Sequence, residues 1–313
     1  MTLGHSVLAI VGPTASGKSS LAIELALRAG HAEVISVDSM QVYRHMDIGT
    51  ATATVTERRG IVHHMIDVLE PEEECSVGWF QREARVVRAS MDQRRQRCIY
   101  VGGTGLYHRA VVDDLEIPGR FPEVARGLEA EADTAGLYQR LLELDAAAAG
   151  RMEPTNRRRI IRALEVTLGA GRTFSSFGDG LEHYADTDVV MFGLDVDRAV
   201  LTRRINDRFD RQMKDGLLDE VADLLARPVG WSRTASQGLG YRELARVITD
   251  GADLDEAIVE SKQRIRRFAV RQLRWFRRDP RIEWLEVGVE ADASGHSHVA
   301  ALADRVERRW ITT

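Results

Sequence analysis

The sequence predicts an α/β protein: an open parallel sheet covered by helices, interrupted by a mainly helical insertion. Three observations carry this. The stretch "LAIVGPTASGKSS" (Leu8 to Ser20) fits the pattern G-x-x-x-x-G-K-[ST] at Gly12, Gly17, Lys18 and Ser19, with an apolar run before it and a helical pattern after it. Later apolar runs end in an acid or in glycines, as strands of a parallel sheet do beside a ligand crevice. Between Asp113 and Asp186 helical patterns follow one another with no strand between them. The reading is a P-loop NTPase-like core made of residues 1–112 and 187–313, its C-terminal part mainly helical, with 113–186 as the insertion.

Each element follows from a local pattern. "SVLAIVG" is a short buried strand closed by glycine, and "KSSLAIELALRAG" is a helix that stops at Gly30. "AEVISVDS" is a second strand ending at Asp38, and "RCIYVGGTG" a third ending in glycines. In the insertion, "FPEVARGLEAEADTAGLYQRLLELDAAAAGRM" and "NRRRIIRALEVTLGAG" carry helical spacing. A strand returns at "TDVVMFGLDV", followed by the helical "RAVLTRRINDRFDRQMKDG", "LLDEVADLLARP", "YRELARVITDG" and "LDEAIVESKQRIRRFAVRQLRWFRR". "RIEWLEV" is a last strand.

Composition bounds the class. With 313 residues, 44% hydrophobic and 29% charged, the chain is long enough for one large or two ordinary domains. Two cysteines, Cys75 and Cys98, exclude a disulfide framework and a cysteine-only zinc site. No stretch reads as a signal peptide or membrane span, so a reduced cytoplasm is expected and no membrane partner. The net charge of −5 does not mark a nucleic-acid binder, but the basic residues are clustered. From Arg264 to Arg278 there are seven arginines and no acid; from Arg151 to Phe174, six arginines against two glutamates. Such local surfaces can hold RNA or phosphates on a mildly acidic protein. All but three of the 43 basic residues are arginine, a bias that genomic base composition also produces.

The chemistry-bearing motifs begin with the loop formed by Gly12, Pro13, Thr14, Ala15, Ser16, Gly17, Lys18 and Ser19. Its backbone N–H groups and the helix N-terminus behind it form an anion nest, Lys18 adds a point charge, and the Ser19 hydroxyl suits Mg²⁺. Nucleotide- and ATP-binding proteins share this loop, which does not distinguish a triphosphate from a diphosphate. Asp38 stands just beyond the second strand, followed by Ser39 and Gln41. An acid there can accept a proton, hold a metal or bind an amine; its plainer role is to cap a turn. In "VGGTGLY", Gly102, Gly103 and Gly105 surround Thr104, either a wall that a ligand approaches closely or a simple strand-to-helix turn. Arg267, Arg271, Arg274 and Arg278 share one face of a predicted helix, where they repel one another, and an external polyanion would relieve them. His63, His64 and Asp67 in "IVHHMID" are read as structural, since adjacent residues point apart.

Taken in order, the motifs identify a family. The chain resembles the tRNA dimethylallyltransferases, or tRNA isopentenyltransferases, of bacterial type. The resemblance rests on "GPTASGKS", "VDSMQVYRHMDIGTA", "HHMIDVLEP", "VGGTGLYHRAVVDDL", "RRRIIRALEV", "DRQMKDGLLDEV", "GLGYRELA" and "RRFAVRQLRWFRR", which cover nearly the whole chain. It implies transfer of a dimethylallyl group from dimethylallyl diphosphate to N6 of adenosine 37, beside the anticodon of tRNAs reading codons that start with U, with Mg²⁺ as cofactor. It implies Asp38 as the base that takes the amine proton, Thr104 near the acceptor and donor, and Lys18 and Arg208 on the diphosphate. By the same resemblance Ser39, Met40 and Gln41 hold an extruded base, and the insertion grips the anticodon stem-loop through Arg158, Arg159 and Arg162. Arg267 and Arg271 are further tRNA contacts, and the enzyme is expected to be a monomer. The helix carrying those two departs from the family pattern at Ile265, Phe268, Val270 and Arg274. Two alternatives share the loop and the acid: a small-molecule kinase and a prenyltransferase acting on a free adenine nucleotide. The arginine-rich insertion favours an RNA-sized acceptor over both.

Overall fold

A computed structural model of the chain describes residues 7–178, 180–181, 183–288 and 296–310. It begins with β1 (Val7–Val11), then α1 (Lys18–Ala29), β2 (Ala32–Ser36), the single turn α2 (Asp47–Thr50), β3 (His63–His64), α3 (Val77–Gln93), β4 (Arg97–Gly102) and α4 (Gly105–Val112). Four helices follow: α5 (Pro122–Ala130), α6 (Thr134–Leu144), α7 (Ala146–Ala149) and α8 (Arg157–Ala170). The chain then adds β5 (Val190–Val196), α9 (Arg198–Lys214), α10 (Leu217–Leu225), α11 (Tyr241–Asp250), α12 (Leu254–Phe276), β6 (Glu283–Val287) and α13 (His296–Trp310).

The strands form one sheet in the order β3-β2-β4-β1-β5-β6, and every pairing is parallel. Central strands covered by helices on both faces read as unbroken apolar runs, and β1 is buried along its whole length. Leu8, Ile10, Val34, Ile35, Ile99 and Phe192 are completely inaccessible. The helices add to this core by spacing. On α13, where sequence reading placed no element, Leu302, Val306 and Trp310 recur every fourth residue and are buried.

The chain forms two compact units, one of Met1–Val112 with Asp186–Thr313 and one of Asp113–Ala185. The second has its own core, in which Leu128, Leu137 and Leu141 pack with Ile160 and Leu164.

Two boundaries differ from expectation. β2 stops at Ser36 rather than Asp38. The Val37 N–H still reaches the Val101 carbonyl at 2.7 Å, but the Asp38 Oδ1 then accepts the Met40 N–H at 2.9 Å. That local turn takes the chain out of the ladder. The strand expected third is fourth, because His63 and His64 pair with Val34 and Ile35. Their roles are structural. His63 Nδ1 lies 2.9 Å from the Ile61 carbonyl, and His64 Nε2 lies 2.7 Å from Glu33. Glu33 is buried within β2. The Arg94 guanidinium, and then His64, hold its carboxyl below the usual carboxylate range against the effect of desolvation.

The core makes one direct prediction. Phe192, on β5, is fully buried, so Phe192→Ala should cost about 3–5 kcal/mol, the usual range for emptying a buried aromatic site. Denaturant titration followed by circular dichroism measures it; a loss under about 1 kcal/mol would contradict the packing.

Candidate active site

The loop between β1 and α1 is shaped by backbone conformation. Ala15 and Gly17 have positive φ, 62° and 96°, and Gly17 leads into α1 without any side chain capping the helix. The first turn of α1 contains no acid. The N–H groups of Gly17, Lys18 and Ser19 find no acceptor among the described residues. An uncapped helix start carries partial positive charge, and its N–H groups await an anion. Ser16 adds a buried hydroxyl that has no hydrogen-bond partner. Lys18 donates to the Pro13 carbonyl at 2.6 Å.

Asp38 and Thr104 come from the two neighbouring strand ends. The Ser39 N–H donates to Thr104 Oγ1 at 3.2 Å, which joins the loop after β2 to the loop after β4. The glycines around Thr104 serve packing rather than ligand approach. A Cβ on Gly102 would lie 2.0 Å from the Val37 carbonyl oxygen, and one on Gly105 would lie 2.1 Å from the Trp275 ring. One on Gly103 would lie 2.2 Å from the Gln272 amide nitrogen. Met40 packs on the core. Gln41 is used internally: its Oε1 accepts from Ser36 at 2.7 Å, and its Nε2 donates to the Thr50 and Ala51 carbonyls, both at 3.3 Å.

Arg208, on α9, reaches the phosphate loop by donating to Thr14 Oγ1. One turn further along α9, Gln212 donates to the Ile48 and Gly49 carbonyls. Glu220, from α10, accepts the N–H groups of the same two residues at 2.8 and 3.1 Å. Both ends of α2 are thus held by side chains from elsewhere. The charges of Lys18, Asp38 and Arg208 act on one another. Burial pushes the Lys18 ammonium down to about 7; Asp38 opposes that shift and Arg208 adds to it. Burial also lowers Arg208, again opposed by Asp38. The site therefore holds two desolvated basic groups beside one acid, and an anion would favour the charged form of both. A cavity of about 470 Å³ lies elsewhere, walled by Asp215, Asp219, Glu220 and Asp223, and is lined by neither Lys18, Asp38, Thr104 nor Arg208.

Comparison with known proteins decides the family. The model for "IPP transferase" matches residues 41–279, and that for "Isopentenyl transferase" matches 5–68. The chain belongs to the IPP transferase family. It is 45% identical over 286 residues to the tRNA dimethylallyltransferase of Streptomyces coelicolor, covering 90% of this chain and 91% of that one. It is 43% identical over 291 residues to the tRNA dimethylallyltransferase of Desulforudis audaxviator, covering 92% and 94%. Among solved structures it matches the tRNA isopentenylpyrophosphate transferase of Bacillus halodurans with a TM-score of 0.69 and 36% identity, over 97% of this chain and 98% of that one. A eukaryotic dimethylallyltransferase acting on tRNA gives a TM-score of 0.77 at 25% identity, over 98% of this chain and 81% of that one.

The remaining arginines of this IPP transferase fall into two groups. On α12, Arg267, Arg271 and Arg274 are exposed, as is Arg278, which lies beyond the helix end at Phe276 rather than on the helix as expected. None of the four ion-pairs with another described residue, and Arg271 lies over the Phe268 ring at 5.7 Å. Neighbouring arginines do find acids from other elements: Arg264, on α12, pairs with Glu243, and Arg277, at the C-cap of α12, pairs with Asp195 at 3.0 Å. On α8, Arg158 and Arg159 are exposed. Arg162 is instead committed to its own unit. It donates to the Pro118 and Gly119 carbonyls at 2.8 and 3.0 Å and pairs with Glu165 at 2.9 Å.

The residues present fit a metal only together with phosphate. Ser19 is exposed in the uncapped first turn of α1. No group of three or more His, Cys, Asp or Glu among the described residues could hold an ion alone. Magnesium commonly binds through one protein oxygen, phosphate oxygens and water, which this arrangement permits. Gln212, Glu220 and Gln272 are the residues that sequence reading missed. Gln272 left one signal, an amide on an otherwise apolar helix face.

The lowered Lys18 gives a pH dependence. An anion in the loop favours the charged ammonium, so binding above pH 7 draws in a proton and weakens as pH rises. Calorimetry with inorganic diphosphate, wild type against Lys18→Met, should show wild type losing its advantage by up to about tenfold per pH unit above 7. A difference that stays constant from pH 6.5 to 9 would contradict the assignment.

Proposed function

We propose that the chain transfers a dimethylallyl group from dimethylallyl diphosphate to N6 of adenosine 37 in tRNAs that read codons starting with U. One observation carries this reading: a carboxylate, Asp38, acts electrostatically on two basic groups, Lys18 and Arg208, of which Arg208 donates to the phosphate loop, beside an uncapped helix start. That layout separates a proton acceptor from an anion cradle, which suits the departure of an anion from carbon during attack by an amine.

The step runs as follows. The adenine N6 attacks C1 of the dimethylallyl group, the C1–O bond to the diphosphate breaks, and the bonding pair leaves with the diphosphate. An exocyclic adenine amine is a weak nucleophile because its lone pair is delocalised, so removal of its proton by Asp38 helps. Charge growing on the leaving group meets the N–H groups of Gly17, Lys18 and Ser19, the Lys18 ammonium and the Arg208 guanidinium. Groups fixed in advance where charge develops are worth most in a water-poor site. The Ser19 hydroxyl would help to hold Mg²⁺, and that ion, when bound, would supply further neutralisation of the leaving group.

The acceptor base must leave its stack to reach Asp38. Thr104, Ser39 and Met40 line its entry, and Gln41 fixes the loop that carries them. Arg158 and Arg159 on the insertion, and Arg267 and Arg271 on α12, contact phosphates of the anticodon stem-loop. Such contacts set register, while the flipped base and its neighbours set specificity. Arg162 supports the insertion from within.

Removing the base separates chemistry from binding. Asp38→Ala should lower single-turnover prenylation of tRNA by about 10²-fold or more, the usual scale for a general base, while its affinity for tRNA stays within about threefold of wild type. Near-normal turnover would remove Asp38 from the mechanism.

A further inference from the structure

We infer that Gln272 is a positioning residue: its side-chain amide fixes the distance between the donor loop and the acceptor wall. The inference rests on the prenyl-transfer reading above and concerns a residue that touches neither substrate.

Gln272 lies on the buried face of α12 with Ala257, Ser261, Ile265, Ala269 and Phe276. Ser261 satisfies its hydroxyl within the helix, on the Ala257 carbonyl. Gln272 instead reaches two loops. Its Oε1 accepts the Thr14 N–H at 2.8 Å, and its Nε2 donates to the Gly103 carbonyl at 3.0 Å. The contact with Gly103 depends on the absence of a side chain there, since any Cβ on Gly103 would occupy the amide's own place.

The two ends of this bridge are the two halves of the reaction. Thr14 opens the turn that presents Lys18 and the free N–H groups, and its hydroxyl receives Arg208. Gly103 precedes Thr104, whose hydroxyl accepts from Ser39 beside Asp38. β1 and β4 are paired up to Val11 and Gly102, but the backbone ladder ends there. Beyond it, among the described residues, the Gln272 amide hydrogen-bonds to both loops. A planar amide that accepts at one end and donates at the other sets both spacing and polarity. A shift of about 1 Å between reacting groups can cost 10²-fold in rate.

Two substitutions test this by different routes. Gln272→Leu keeps the volume and removes both hydrogen bonds. Gln272→Glu keeps the acceptor for Thr14; as a carboxylate it faces the Gly103 carbonyl with a second acceptor, and once protonated it donates as glutamine does. Single-turnover prenylation is measured with saturating dimethylallyl diphosphate and tRNA. Melting curves, and affinities for inorganic diphosphate and tRNA, are measured alongside. Gln272→Leu should be slower by ten- to a hundredfold, with both affinities within about threefold of wild type and the fold intact at the assay temperature. The rate of Gln272→Glu relative to wild type should rise at least tenfold as pH falls from 8 to 5.5. Rates within twofold of wild type for both variants would overturn the inference. So would loss of both affinities without recovery of the glutamate variant at low pH, which marks a purely structural role. Failure of the wild type itself to prenylate tRNA would overturn the underlying reaction, and the wild-type control reports that separately.

Discussion

The site depends on the level ending of three adjacent parallel strands. β2, β4 and β1 lie side by side, with Ser36 opposite Val101 and Val11 opposite Gly102. In a parallel sheet every strand's carboxyl end opens on the same edge. The acid after β2, the threonine after β4 and the anion loop after β1 are therefore neighbours by construction, although Val11 and Gly102, where β1 and β4 end, lie 91 positions apart in sequence. Contact between the loops is close enough that Gly102 has no room for a side chain against the Val37 carbonyl. Three polar side chains then finish what the sheet begins: Gln41, Gln212 and Gln272 each tie one loop to another element.

Electrostatics give this geometry a direction. Two basic groups are drawn out of water beside one acid, and the helix start behind them lacks any capping side chain. Desolvation makes such an arrangement costly while it stands alone. An anionic donor removes the cost, and so binding itself restores Lys18 to its charged form. On the proposed reaction the same groups then meet the charge that grows as diphosphate departs. Asp38 lies on the other side of that charge separation, where a proton is released. Neither task requires movement of a phosphoryl group.

Much of this was legible in the sequence, for physical reasons that differ by residue. The phosphate loop is written in contiguous residues whose glycines, lysine and hydroxyl each have a local task, so Gly17, Lys18 and Ser19 declare themselves. The parallel sheet follows from apolar runs closed by glycines. Asp38 was visible because it follows a strand, though the strand's end was misplaced by two residues, since a side-chain turn bond cannot be read from an apolar run. The glycines of "VGGTG" were visible but ambiguous: close approach to a ligand and close approach to Val37, Gln272 and Trp275 leave the same pattern. The bridges made by Gln212, Glu220 and Gln272 span many residues in sequence, and nothing local announces a partner that far away. Arg158, Arg159 and Arg162 look alike as a cluster. Only packing shows that Arg162 is committed to nearby carbonyls while the other two remain exposed.

On the proposed reaction this phosphate loop cradles a leaving diphosphate while the carbon chain moves to RNA. Isotope transfer tests it most directly. The protein is incubated with Mg²⁺ and either dimethylallyl diphosphate labelled in carbon or ATP labelled at the γ-phosphate. The acceptors are unmodified tRNA containing A36-A37-A38 and, separately, free AMP. A prenyl-transferring loop puts carbon label in tRNA at adenosine 37 and moves no phosphate from ATP. Carbon label in AMP alone, or phosphate transferred from ATP to an acceptor, would contradict it.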